Sequence, residues 1–227
     1  MREQYDPLEA PPPDPAWEDL TASLAQNEVQ IALCPAEELP IDIPPGLQLV
    51  ALTQRLDPGY AVVALRRRPL SELPAGARVF CTDWLSQIRL RALWPSLEPL
   101  PVRARIPALL AWLEEGRAEA CVVPTHRAER LGLRHRVVER LPLETWPAAC
   151  GAGSLALLTR DRDFSSRTVA AGLCHVASAM AIDAERQVLR SLGLPRPLPL
   201  SVHAQLEGSL LSVELRGFDP AGALRVQ

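Results

Sequence analysis

Apolar positions along the 227-residue chain change period several times, and each change marks an element. AWEDLTASLAQ (16–26) carries its apolar residues at helical spacing. VQIALC (29–34) reads as a short apolar strand, and PPGLQLVAL (44–52) and GYAVVAL (59–65) as two more, separated by turn residues. A polar, proline-rich stretch, RRRPLSELPAG (66–76), then interrupts the pattern. Beyond it come strand ARVFCTD (77–83), helix DWLSQIRLRALWP (83–95) and strand EPLPVRA (98–104). Helix RIPALLAWLEEGR (105–117), with its Leu/Trp stripe, strand EACVVP (119–124) and the short helix THRAERLGL (125–133) follow. Alternation of this kind predicts a small parallel sheet covered on both faces. GSLALLTR (153–160) adds one further buried strand.

The last part of the chain has another character. Residues 165–194 are apolar at helical spacing over one or two helices, and LSVHAQL (200–206), LLSVELRGFDPAG (210–222) and ALRVQ (223–227) alternate apolar with polar residues. These predict an α+β terminal domain. The first sixteen residues hold five prolines and four acids and read as an extended arm.

Composition narrows the chemistry. With 48% hydrophobic residues the chain can bury a sizeable core, and its net charge of -3 argues against a general nucleic-acid binder. All 24 basic residues are arginine, which excludes a Schiff-base lysine, a P-loop lysine and a lysine general base. No apolar run is long enough to span a bilayer, and MREQYDPLEAPPPDP lacks the apolar core of a signal peptide, so a cytoplasmic protein without a membrane partner is expected. The five cysteines are scattered and suit reduced core thiols; the four histidines lack ligand spacing, and no metal site is expected. Cys34, with no histidine or arginine near it in sequence, is expected to be a poor nucleophile. Trp84, Trp94, Trp112 and Trp146 are expected as core or interface anchors, and His175 as a core histidine.

Laid out in order, LPIDIPPGLQLVAL, RLDP, LSELPAGARV, LEEGRAEACVV, ERLGL and AERQVLRSLG followed by LSVHAQL resemble the hydroxymethylbilane synthase (porphobilinogen deaminase) family, collinearly from about Trp17 onward. The resemblance implies an α/β fold of two periplasmic-binding-protein-like lobes plus a small α+β C-terminal domain. After the proline-rich arm at 1–16, it places a truncated first lobe at 17–75 and 143–162, a second lobe at 76–142 and the third domain at 163–227. It also implies a chemistry: porphobilinogen units are joined into a linear bilane on a dipyrromethane cofactor held by a cysteine of the third domain.

The family's functional positions have changed here. A His-Ser-x-Lys-Asp-x-Pro loop becomes Cys34 to Pro40, with Glu38 at the aspartate position and Glu37 replacing the lysine. Two adjacent carboxylates reverse the field that would hold acidic pyrroles. Gly-Thr-Ser-Ser-Leu-Arg-Arg-Gln becomes FCTDWLSQ, with Leu85 and Ser86 in place of the paired arginines. Arg-Gly-Asn-x-x-Thr-Arg becomes RARIPAL, keeping Arg103 but placing Leu109 at the second arginine, and Arg130 matches a cofactor-contacting arginine. Arg196 stands at the cofactor cysteine position.

The expectation is therefore an inactive paralogue without dipyrromethane, kept for binding a protein partner or for homo-oligomerisation. The truncated first lobe is expected to expose a sheet edge that favours such pairing. Two alternatives stand beside it. One is altered, cofactor-independent chemistry on porphobilinogen or another small pyrrole or carboxylate through Glu38, Arg103 and Arg130. The other is a small-anion module binding a tetrapyrrole or small carboxylate.

Overall fold

The structure is a computed structural model that describes residues 15–193, 200–219 and 221–226. The expected arm lies almost wholly outside these residues. In chain order the elements are α1 (Pro15–Ala25), β1 (Ala32–Pro35), β2 (Leu47–Leu52), β3 (Tyr60–Ala64), β4 (Arg78–Cys81), α2 (Trp84–Leu93), β5 (Glu98–Pro101) and α3 (Ile106–Glu114). Then follow β6 (Ala120–Pro124), α4 (Thr125–Arg130), β7 (Val137–Leu141), β8 (Leu155–Arg160), α5 (Phe164–Ala171), α6 (Val176–Leu192), β9 (Leu200–Glu207), β10 (Leu210–Phe218) and β11 (Leu224–Val226). Among the described residues no helix is long and apolar enough to cross a membrane.

The chain divides into two compact units. The first takes the described parts of Met1–Leu56, Cys150–Leu198 and Val202–Glu214. Its sheet runs β1-β8-β2, with β8 antiparallel to both neighbours. Because side chains alternate across a strand, Ala156 and Leu158 face one core with Leu24, Leu39, Leu52 and Ile182, while Leu157 faces another with Ala51 and Ala170. Helix α6 ends on Gly193 at φ 58°, a left-handed C-terminal cap. His175, expected in the core, instead starts α6: its ring accepts the Ser178 N–H at 3.3 Å and its side chain is exposed.

The second unit takes Asp57–Ala149, the described residues of Pro199–Ser201, and the described part of Leu215–Gln227. Its sheet runs β5-β4-β6-β3-β7. The three strands expected to be parallel are so, β4 running parallel to β5 and β6, but the sheet extends beyond them: β3 lies antiparallel between β6 and β7. Tyr60–Ala64, assigned by the resemblance to the first lobe, is thus a fully buried inner strand of this sheet, with Val62 opposite Val122 and Glu139. Two cores flank the sheet. Val62, Val79, Val122, Leu90 and Trp146 form one, and Val63, Phe80, Leu109, Leu113 and Val123 the other. Trp94 packs on the first and Trp112 on the second, as anchors should.

The observed division falls after Leu56 and Ala149 rather than at 75/76 and 142/143. Residues 163–227, expected as a third domain, are shared. Ala170 of α5 and Ile182 of α6 are buried in the cores of the first unit, and the described residues from Leu215 onward belong with the second. The reason is hydrophobic: α5 and α6 cover the faces of the β1-β8-β2 sheet that would otherwise be wet.

Candidate functional site

Three places carry the polar chemistry. The first is the loop after β1, where a single 3-10 turn, Ala36–Glu38, is pinned by the Ala36 N–H to the Ser154 carbonyl at 3.0 Å. Glu38 is exposed there, Glu37 half-buried and Cys34 buried. Burial, then the charges of Glu38 and Glu37, push the Cys34 thiol up to about 12, and Arg186 opposes them only weakly. The Arg186 guanidinium is engaged elsewhere, donating from Nη2 to the carbonyls of Pro40 at 2.7 Å and Ile41 at 2.6 Å. The loop is an acidic surface beside a protonated thiol.

The second place is the carboxyl edge of the parallel strands in the second unit. The chain leaves β4 for β5 on one side, then crosses through α3 to β6 on the other, and open α/β sheets bind ligands in the crevice at such a reversal. Thr82 and Asp83 follow β4, and Thr125 and Arg127 open α4 after β6. Asp83 caps α2 by accepting the Ser86 N–H at 2.8 Å. Burial holds its carboxyl above the usual range against hydrogen bonds from Ser86 and Tyr60 and the charge of Arg127.

Of the residues named from sequence, Arg103 is exposed between β5 and α3, and Arg130 is exposed in the last turn of α4; both belong to this unit. Glu38 belongs to the first unit, so the three are not neighbours within one unit. Leu85 and Ser86 are 7% and 0% exposed within α2, and the Ser86 hydroxyl donates back to the Asp83 carbonyl at 2.9 Å. Leu109 lies fully buried in a core. Arg196 lies outside the described residues.

The third place, in the first unit, escaped sequence reasoning. Glu185 on α6 is completely buried, and its carboxylate accepts both Arg55 Nη1 at 2.8 Å and Nη2 at 2.9 Å. It also accepts the N–H groups of Gly151 at 2.7 Å and Ala204 at 2.7 Å. A bidentate guanidinium and two amides satisfy the carboxylate fully, as a buried charge requires. An open cavity of about 320 Å³ lies beside it, lined by Arg55, Ser178, Ala181, Ala204, Gln205 and Glu207 among others. Arg55 is separated from Glu185 by 130 residues, so no local pattern announces the pair. Among the described residues no group of histidine, cysteine, aspartate and glutamate could hold a metal ion.

The family profile of the porphobilinogen deaminase dipyromethane cofactor binding domain matches residues 15–168. A porphobilinogen deaminase of Thiobacillus denitrificans is 32% identical over 86% of this chain and 64% of its own length. One of Burkholderia orbicola is 35% identical over 82% of this chain and 56% of its own. The chain thus spans less than two thirds of these relatives. Among solved structures, the methionine binding protein MetQ superimposes with a TM-score of 0.47 at 16% identity, covering 66% of this chain and 73% of that one. A TRAP periplasmic solute binding protein from Xanthobacter autotrophicus PY2 gives 0.46 at 11% identity, covering 78% and 72%.

Proposed function

The chain belongs to the porphobilinogen deaminase family, and from that premise we propose that it is a catalytically inactive member, related to tetrapyrrole biosynthesis, that works by binding a protein partner or a second copy of itself. One observation carries the reading. Leu85 and Ser86, at the family's paired-arginine positions, are packed inside α2, and Ser86 is tied to the cap of its own helix. No guanidinium stands there to grip an acidic pyrrole, and Glu37 and Glu38 present like charge instead.

Three buried cysteines are also poor candidates for a dipyrromethane anchor. A thioether forms from a thiolate, whereas burial pushes the thiols of Cys34 and Cys121 up to about 12 and that of Cys81 up as well. A guanidinium at position 196 forms no thioether. None of the five cysteines is paired in a disulfide, which suits a reducing compartment and, on this reading, the cytoplasm.

Two measurements test the proposal. Purified chain incubated with porphobilinogen should consume none above the buffer control, and turnover would end the inactive reading. Size-exclusion chromatography with light scattering should give a dimer, a higher oligomer or a stable mixed complex; a compact monomer that captures nothing would end the binding reading. Exposed Arg103 and Arg130 favour a second reading, a small-anion module in the second unit. Calorimetry against tetrapyrroles and dicarboxylates would show binding tighter than about millimolar if that reading holds.

A further inference from the structure

The Glu185 cluster contains a histidine, the side chain whose ordinary pKa lies nearest neutrality. His203 on β9 places Nδ1 at 3.5 Å from Arg55 Nη1 and 3.6 Å from Glu185 Oε1. Its side chain is 14% exposed, and its Nε2 is buried without a hydrogen-bond partner among the described residues. A neutral imidazole with its Nδ1 lone pair toward the Arg55 donor fits this corner. An imidazolium fits it less well, because Nδ1 then becomes a second cationic donor facing Arg55 and must share Glu185 Oε1, which already accepts from Arg55 Nη1 and the Ala204 N–H. We propose that Arg55, Glu185 and His203 form a proton-operated latch inside the first unit, closed while His203 is neutral and opened when it takes up a proton.

The geometry says what the latch holds and where it would move. Glu185 Oε1 binds Arg55 Nη1 and the Ala204 N–H, while Oε2 binds Arg55 Nη2 and the Gly151 N–H. One carboxylate thereby joins the segment after β2, the turn before β8, helix α6 and strand β9. A protonated His203 would compete with Arg55 for Oε1 and repel the guanidinium at the same time. The Arg55 backbone stays fixed, since its N–H is bonded to Ser178 Oγ at 2.8 Å. Its side chain already lines the open cavity and can swing into it, toward Glu207, which lines it too.

The charged groups acting on His203 come from each neighbouring element. Burial and Arg55 oppose its protonation, while Glu185 on α6 and Glu214 on β10 favour it, and the balance lies below the ordinary histidine value. A folded-state value below the unfolded one means that the cluster's stability is present above about pH 6.5 and is lost as pH falls through the folded value.

The test uses the intact chain. Imidazole resonances of the four histidines are followed by NMR from neutral to mildly acidic pH, with His203→Gln assigning the relevant one. Amide exchange at Gly151 and Ala204, corrected for the intrinsic pH dependence, reports the latch itself. We expect His203 to titrate below its ordinary value, and protection of both amides to drop by about tenfold or more in step with it. In H203Q the drop should be less than about threefold. A His203 that titrates at or above the ordinary value overturns the proposal, and so does protection unchanged through its titration. Both readouts exist in the wild-type chain, so a misfolded variant would not rescue the idea.

Discussion

Replacing Glu185 by glutamine removes one charge and turns one acceptor into a donor while leaving the side-chain volume nearly unchanged. Four hydrogen bonds converge on the carboxylate, two at each oxygen. Whichever way the amide is turned, its NH2 meets one Arg55 nitrogen and one backbone N–H, all donors. Arg55, whose side chain is 12% exposed, is left with a carbonyl, Ala204 at 3.0 Å, in place of its carboxylate. Breaking a buried pair from one side costs about 3–5 kcal/mol, and an orphaned buried amide about 1–3 kcal/mol. The two share one network and do not add fully, so about 4–5 kcal/mol is expected. At about 2–4 °C per kcal/mol for a chain of this size, the melting temperature should fall by about 8–20 °C. The assay is a thermal melt followed by circular dichroism at pH 7.5, where His203 is neutral. A companion Arg55→Met/Glu185→Leu variant, which removes both partners, should recover much of the loss. A Glu185→Gln melt within about 3 °C of wild type would refute the claim that this carboxylate is a central tie of the first unit.

Four further outcomes are expected. Gly151 sits at φ 80°, and an added Cβ would lie 2.8 Å from the Ala36 carbonyl oxygen, so Gly151→Ala should lower the urea midpoint by the equivalent of about 2 kcal/mol or more. Gly208→Ala, at φ 61° with open space around it, should cost only about 1 kcal/mol. Cys34, held at about 12, should resist iodoacetamide at pH 8, where about one thiol in ten thousand is ionised, until the chain is unfolded in urea. Because its folded value is raised, the linked stability is present below about pH 9 and fades as pH climbs toward that value; rapid native labelling would contradict this. Trp146 is fully buried, with ring centroids 6.3 Å from Tyr60 and 5.8 Å from Trp94, so Trp146→Ala should cost about 3–5 kcal/mol by denaturant titration.

Local pattern made most strands and helices legible, because period and turn residues are encoded within a few positions of each other. Partners were harder to read. GYAVVAL is plainly a buried strand, but nothing in it says that β6 and β7 flank it, and that pairing decides which unit it joins. β7 went unnoticed because RHRVVERL is charged; it is an edge strand, with Glu139 taking the Leu70 N–H at 3.0 Å. The altered motif positions Glu37, Glu38, Leu85, Ser86 and Leu109 could be found from the resemblance alone, since loss of a residue type is visible in one dimension. The Glu185 cluster could not. Glu185 and His203 stand 130 and 148 residues along the chain from Arg55, and AER on an amphipathic helix looks like solvated charge until the burial is seen.

On the proposed reading, no side chain at the altered motif positions carries or grips a pyrrole primer. The intact mass of the purified chain, produced in cells that make porphobilinogen, tests it most directly. The expected result is the mass of the unmodified polypeptide, with no pyrrole absorbance. A uniform added mass of two pyrrole units, surviving denaturation and mapping to one cysteine, would contradict it.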